Sequence, residues 1–537
     1  MNNLKEQLQK IQFDGKTPEI LFDCCADPGE YDRKRQVFNR KFQFRPAAIV
    51  FCEYSEHVSQ TLIIAKELNY DIRVRSGGHD HEGECSGTDT IVIDLSKMDN
   101  VTVEKGIARI QPGNRFMKLI PELATYDVSI PHGTCGSVGI AGFTMGGGWG
   151  PWTRRYGMCC ESLAGATIVL GDGTIKKLTS DATARGDKEL LWALRGGGGM
   201  SYGIVTELVI KTFELPKHTI KFNVEWNNTP ALKVLTAWEG IIAPDKNPKL
   251  IGTNLKIMAI PKPPADQDIE ESVYDCVFYG YYDGTETELK EDLVKWFAKI
   301  PPYKVYIPDD HTADGKRGHM LGFSAWDRVS TPEALLRITA PKSKPITLAT
   351  LAGPAPLQAE PIPPDMDAPA PHKITSRLVK EKGWDNKGRK TLIQSLESDL
   401  LYPGGELAGV HCYVTLGAIS GPYYAQYNDP GFPDGSAFPY KKRPFTIQYQ
   451  AWWDQGAKGI AQGKLHNVHE YTNRAEDWIE ECRQLSFPQT EGSFISFKDA
   501  GVPTNEYFMQ SYDRLKQIKE SYSEDPHNRF RTRKTII

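Results

Sequence analysis

Two glycine-framed stretches decide how the chain reads: Arg75-Ser76-Gly77-Gly78-His79-Asp80 and Gly133-Thr134-Cys135-Gly136-Ser137-Val138-Gly139. The second runs on through Gly142 to Gly146-Gly147-Gly148-Trp149-Gly150. Glycine lacks a β-carbon, so its backbone can come close to a ligand and aim N–H groups at it. A nucleophilic nitrogen, His79, and a nucleophilic sulfur, Cys135, each sit in this bare backbone. The pairing suggests a flat, anionic, electron-poor group held covalently from two sides, because a thiolate adds readily to such a ring.

Each element of that reading has an alternative. Gly146–Gly150 and Gly196–Gly199 are followed by no Gly-Lys-Ser/Thr, so neither is a Walker loop. Neither has the strand–turn–helix context and acidic partner of a Rossmann fingerprint, and tight packing would also explain them. His79-Asp80-His81-Glu82 alternates histidine and acid in the manner of a chelating cluster. No further ligand set stands at recognisable spacing, so no metal is expected. Cys135 in isolation would read as a buried thiol.

The chain has 537 residues, which implies several domains. Hydrophobic residues at 40% and charged residues at 25% are ordinary for a globular protein. The net charge of −4 argues against a polyanion such as nucleic acid as partner. No apolar run approaches ~20 residues, so no membrane span is expected. Met1 to Lys10 is polar and lacks a signal-peptide core, which leads to an expectation of a cytoplasmic protein. Ten scattered cysteines, including the pairs Cys24-Cys25 and Cys159-Cys160, match no zinc template.

Residues 47–52, 72–74, 91–95, 107–111 and 204–210 read as strands, and 56–68 has helical periodicity. Gly171-Asp172-Gly173 between two apolar runs marks a hairpin. After Pro216 the texture changes to β-like runs at 219–225, 252–259, 275–281, 409–416 and 444–451, with helices at 285–299 and 389–400. This pattern predicts an α+β fold with an antiparallel sheet covered by helices. Residues 341–371 hold nine prolines, too many for a regular element. Ala475–Leu485 and Tyr512–Tyr522 are amphipathic helices.

Several stretches, in order, resemble the berberine-bridge-enzyme-like branch of the vanillyl-alcohol-oxidase (PCMH-type) flavoproteins. Arg75–Asp80 is similar to the loop whose histidine bonds the flavin 8α carbon, and Gly133–Gly139 to the loop whose cysteine bonds flavin C6. Val92–Ser96, Gly146–Gly150, Arg155-Tyr156-Gly157 and Gly171–Gly173 follow at family-like spacing. Tyr202-Gly203-Ile204-Val205 resembles the segment lining FAD, and Ser436–Pro439 and Arg514–Phe530 the C-terminal signature. The resemblance implies FAD bound through His79 and Cys135. It also implies a two-part FAD-binding domain (1–216, completed by 481–537) and a substrate domain (217–480). Val138 falls where the family's oxygen-gating side chain lies, and a valine there is similar to members that reoxidise with O2.

The chain departs from the family at Phe494-Ile495-Ser496-Phe497, where family alcohol oxidases carry Tyr-x-Asn-Tyr. Phenylalanine has no proton to exchange, so a general base must come from elsewhere. Gln448, Tyr449, Tyr413 and His411 on the predicted sheet are the candidates. Gln448 and Tyr449 point oppositely, and only one can face the flavin. Trp452-Trp453 offers a stacking wall or core. The expected activity is an FAD-dependent oxidase taking hydride from a C–O or C–N carbon of a small natural-product or aromatic/alicyclic substrate, with molecular oxygen as acceptor. A carbohydrate oxidase, a dehydrogenase and a flavin-loaded binder that has lost turnover are the alternatives.

Overall fold

The computed structural model describes residues 2–23, 28–216, 218–264, 267–307, 369–401, 410–427, 435–453, 459–461, 464–466 and 468–537. Most of the proline-rich stretch 341–371 lies outside the described residues.

Short runs near the N-terminus make a four-stranded sheet in the order Glu19–Phe22, Ala48–Phe51, Ile91–Asp94, Ile72–Arg75, with the two central strands fully buried. The last three are mutually parallel, and the amphipathic helix Ser55–Glu67 provides the crossover, burying Val58, Leu62 and Ala65. A five-stranded antiparallel sheet follows, in the order Val101–Glu104, Ile107–Ile110, Ile204–Lys211, Leu163–Val169, Ile175–Thr179. Its Leu163–Val169 hairpin closes where Gly173 adopts φ 91°, and Asp172 Oδ1 accepts the Thr174 N–H at 2.8 Å. The chain returns to this sheet at its end. Leu515 and Ile518 of the helix Tyr512–Tyr522 pack with Leu190 and Leu191 of Arg185–Leu194, and Ile536 joins the same core.

The largest sheet has eight antiparallel strands. Their order is Lys304–Tyr306, Thr219–Pro230, Val273–Asp283, Leu250–Met258, Val410–Ala418, Phe445–Trp453, His372–Val379, Thr490–Glu491. The last strand carries the sheet beyond the boundary placed at 480. Alternation sets the two faces. Phe445, Ile447, Tyr449, Ala451 and Trp453 enter a core roofed by the helices Ala231–Ile242, Asn386–Gln394 and Val468–Gln484. Thr446, Gln448, Gln450 and Trp452 take the other face. No helix among the described residues is long and apolar enough to cross a membrane.

Candidate active site

The strand Ile72–Arg75 ends by turning its last side chain back: Arg75 Nε donates to Asp94 Oδ2 at 2.5 Å, with both residues buried. The backbone beyond it is then free to run past Gly77 and Gly78. Gly77 touches Gly139 backbone to backbone, which sets the two glycine-framed loops side by side. The second loop is pinned from behind, where Met117 N–H donates to Gly136 O at 2.8 Å and Phe116 N–H to Val138 O at 3.1 Å. The contact brings Ser137 Oγ to 2.6 Å from His79 Nε2. Phe38 stacks on the other side of the imidazole, with ring centroids 3.7 Å apart. Burial, and then the charge of Arg115, hold His79 well below the usual histidine range, so the ring is neutral.

His79 and Cys135 line one cavity of about 350 Å³, together with Ser76, Gly77, Gly78, Asp80, Gly133, Thr134, Val138, Gly139, Gly142, Gly146, Gly203, Ile204 and Val205. The large sheet closes it with a polar wall. The ladder puts Gln448 beside Thr415 and Thr415 beside Lys256 in one row, and Asn254, Gln450 and Trp452 line the cavity from neighbouring rows. Lys256 Nζ sits 4.2 Å from the centre of the Tyr413 ring. Phe494 and Phe497 complete the lining from the C-terminal segment, with the Phe494 N–H tied to Ser376 Oγ at 3.0 Å.

Several expected site residues stand elsewhere. Tyr449 points into the helix-covered core, where its hydroxyl meets Ser395 Oγ at 2.6 Å and burial pushes its pKa up. Strand alternation gives the cavity to Gln448 instead. Tyr413 and His411 share the cavity-side face of their strand but do not reach the cavity lining. Tyr413 O–H donates to Gln450 Oε1 at 3.1 Å, and His411 is pushed down to about 4 by burial and then by Lys256. Arg75, Gly136, Ser137 and Gly147 also stand behind the lining. Arg75 is spent on Asp94 and Ser137 on His79, while Gly147 packs against Phe438 and Phe494. The His79–Glu82 run does not converge as a chelate. Asp80 pairs with Lys498 at 2.6 Å and Glu82 with Lys373 at 2.7 Å, and no group of three metal-ligating side chains assembles among the described residues.

Comparison with known proteins agrees with this geometry. Residues 46–179 match the FAD binding domain family, and residues 493–537 match the family described as berberine and berberine like. The chain is 24% identical to berberine bridge enzyme-like 12 of Arabidopsis thaliana, over 93% of this chain and 86% of that one. The chain is similar along nearly its whole length to the berberine-bridge-enzyme-like FAD-linked oxidoreductases. An uncharacterised FAD-linked oxidoreductase of Bacillus subtilis, YgaK, is 25% identical over 95% of both chains. In fold, the chain is similar to a glucooligosaccharide oxidase from Acremonium strictum that carries a 6-S-cysteinyl, 8α-N1-histidyl FAD. The TM-score is 0.72 at 18% identity, covering 100% of this chain and 99% of that one.

Sequence reasoning missed two features of this berberine-bridge-like site. One is Lys498, a cavity-lining ammonium gripped by Asp80 and by Glu84 at 3.0 Å, which burial would lower but the two carboxylates raise. The other is the contact of His81 Nδ1 with His372 Nε2 at 2.9 Å. These partners are hundreds of residues apart, so no local pattern announces them. Locally, Asp80 directly follows His79 and Lys498 directly follows Phe497.

Proposed function

We propose that the protein is an FAD-dependent oxidase that holds its flavin through His79 and Cys135. It would remove hydride from an alcohol carbon of a small, hydroxyl-bearing substrate and release H2O2. The observation that carries the reading is the presence of His79 and Cys135 on one glycine-lined cavity, with Ser137 engaging one nitrogen of the histidine. With Nε2 bonded to Ser137, Nδ1 makes no hydrogen bond among the described residues and is the nitrogen left to attack a ring-methyl carbon. The residues fit such a group. A β-carbon on Gly142 would meet nothing within 4 Å, so the backbone there faces open space rather than packed protein.

When bound, FAD supplies a two-electron acceptor that is reoxidised by dioxygen. The chain's own groups do the rest. Cys135 would hold the flavin at a second point, Val138 lines the same cavity, and the wall of Gln448, Gln450, Thr415, Asn254 and Lys256 would orient the substrate by hydrogen bonds. That wall supports a hydroxyl-rich substrate over a purely aromatic one, and Trp452 offers a face for a ring. The test is H2O2 release by purified, air-equilibrated holoenzyme presented with cellobiose, xylobiose and benzyl alcohol. Peroxide from either sugar supports the reading. Flavin that is reduced but stays reduced in air would replace the oxidase with a dehydrogenase.

A further inference from the structure

Phe494 and Phe497 give the cavity no proton acceptor, and most of its other ionisable groups are already committed. Asp80 Oδ2 holds Lys498 at 2.6 Å, while its Oδ1 accepts the N–H groups of Glu82 at 3.0 Å and Glu84 at 3.1 Å. Glu84 accepts from Lys498 at 3.0 Å and from the Arg533 N–H at 2.6 Å. The Cys85 thiol is pushed up to about 12 by burial, so it keeps its proton. Lysine ammonium groups donate only. His79 is occupied by Ser137 on one side and reserved for the cofactor on the other.

His81 is different, and its protonation pattern follows from its neighbours. His372 Nδ1 lies 2.9 Å from the Ala370 carbonyl oxygen, which only accepts, so Nδ1 carries the hydrogen. His372 is fully buried, and burial holds it well below the usual range, so the ring is neutral and Nε2 bears a lone pair. His81 Nδ1, at 2.9 Å, must then donate to it. The lone pair of neutral His81 is thereby left on Nε2. His81 lines the cavity, and His372 stands behind it. His372 is itself fixed by the Trp452 ring, with centroids 4.0 Å apart, and by its backbone N–H on Asn39 Oδ1 at 3.2 Å.

We propose that His81 Nε2 is the general base of the oxidation and that His372 is its positioning residue. The inference rests on the oxidase reading above. The substrate O–H bond breaks and its proton passes to His81 Nε2. The electron pair left on oxygen forms the second C–O bond as the C–H bond breaks, and that hydrogen leaves with both electrons to the bound flavin. Dioxygen takes the two electrons and two protons as H2O2, one of the protons returning from His81. His81 is held down by burial and by Lys498 and is raised by Asp80. Glu84 shares Lys498, and Lys41 bears on His372. The ring is therefore unprotonated, and competent as a base, at neutral pH.

Two measurements on the full-length holoenzyme test this. The first is independent of turnover: nitrogen-15 NMR of histidine-labelled protein, with the His81→Gln and His372→Gln variants supplying assignments. It should show both rings neutral and protonated on Nδ1. A His81 ring protonated on Nε2 overturns the proposal. The second is anaerobic flavin reduction by cellobiose, xylobiose and benzyl alcohol against pH. His81→Gln, with its flavin spectrum intact, should slow reduction by about 10²–10⁴-fold and abolish the acid limb seen in the wild type. His372→Gln should keep that limb but shift it. Unchanged reduction in His81→Gln contradicts the base assignment. If none of the three probes reduces wild-type flavin, it is the oxidase reading that fails, and the NMR result still decides the orientation of His81.

Discussion

A β-carbon on Gly77 would lie 2.4 Å from the Gly139 nitrogen, and one on Gly139 would lie 2.6 Å from the Gly77 nitrogen. Neither residue has a positive φ, so the requirement for glycine is one of space between two backbones. The contact sets the distance between the histidine loop and the cysteine loop. Gly139→Ala must push them apart, because backbone atoms cannot swing aside as a flexible side chain would. The expected result is a folded protein with a markedly lower ratio of flavin to protein absorbance. Full flavin content in Gly139→Ala would show that the loop spacing is not critical.

Ser137 Oγ lies 2.6 Å from His79 Nε2. Ser137→Ala removes the partner of Nε2 and should leave the imidazole free to rotate. Peptide mapping should then show flavin attached through the Cys135 peptide, with the His79 linkage diminished. Equal loss at both peptides would point to general disorder of the loops instead.

The opposed faces of the Phe445–Trp453 strand give Gln448 and Tyr449 separate consequences. Tyr449→Phe removes a hydroxyl that bonds Ser395 inside the core. It should cost about 1 kcal/mol of stability and leave substrate reduction of the flavin unchanged. Gln448→Leu should raise KM with little effect on melting temperature. Urea denaturation and steady-state kinetics of both variants check this, and a loss of turnover in Tyr449→Phe would return that residue to the site.

Three histidines of the site, His79, His81 and His372, are held by burial below the ordinary value of 6.5. The unfolded chain takes up these protons near that value, and the folded chain only at lower pH. For His81 this is about 4. Their contribution to stability is therefore fully present above pH 6.5 and declines as pH falls, by about 1.4 kcal/mol per pH unit for each histidine. Urea titrations at about pH 7.5 and pH 5 should show the loss, and a His372→Gln variant should show less of it. Equal stability at the two pH values would mean that these rings are not buried neutral.

Much of this organisation was legible in the chain. The alternation in 445–453 separates a core face from a cavity face without any tertiary information, and the helix Tyr512–Tyr522 matches its amphipathic pattern end to end. Gly77, Gly78 and Gly139 beside His79 and Cys135 mark a cavity for the same reason. The strand His372–Val379 was missed because it begins directly after Pro369 and Pro371, where proline density argues against a strand. Missing it hid His372, and with it the orientation of His81. The helix Ala231–Ile242 was also missed, although Lys233, Thr236 and Gly240 fall at helical spacing on its exposed side. The depth of Lys498 depends on two carboxylates more than 400 positions earlier, and only the folded chain brings them together.

The most direct measurement is the intact mass and visible spectrum of the purified chain after acid denaturation. The expected result is a yellow polypeptide heavier by one FAD, with flavin on the His79 and Cys135 peptides. His79→Ala and Cys135→Ala should each retain one bond, and the double variant should release its FAD. A colourless chain of unmodified mass, isolated from flavin-replete cells, would contradict covalent attachment, and flavin that stays on the denatured double variant would contradict its assignment to His79 and Cys135.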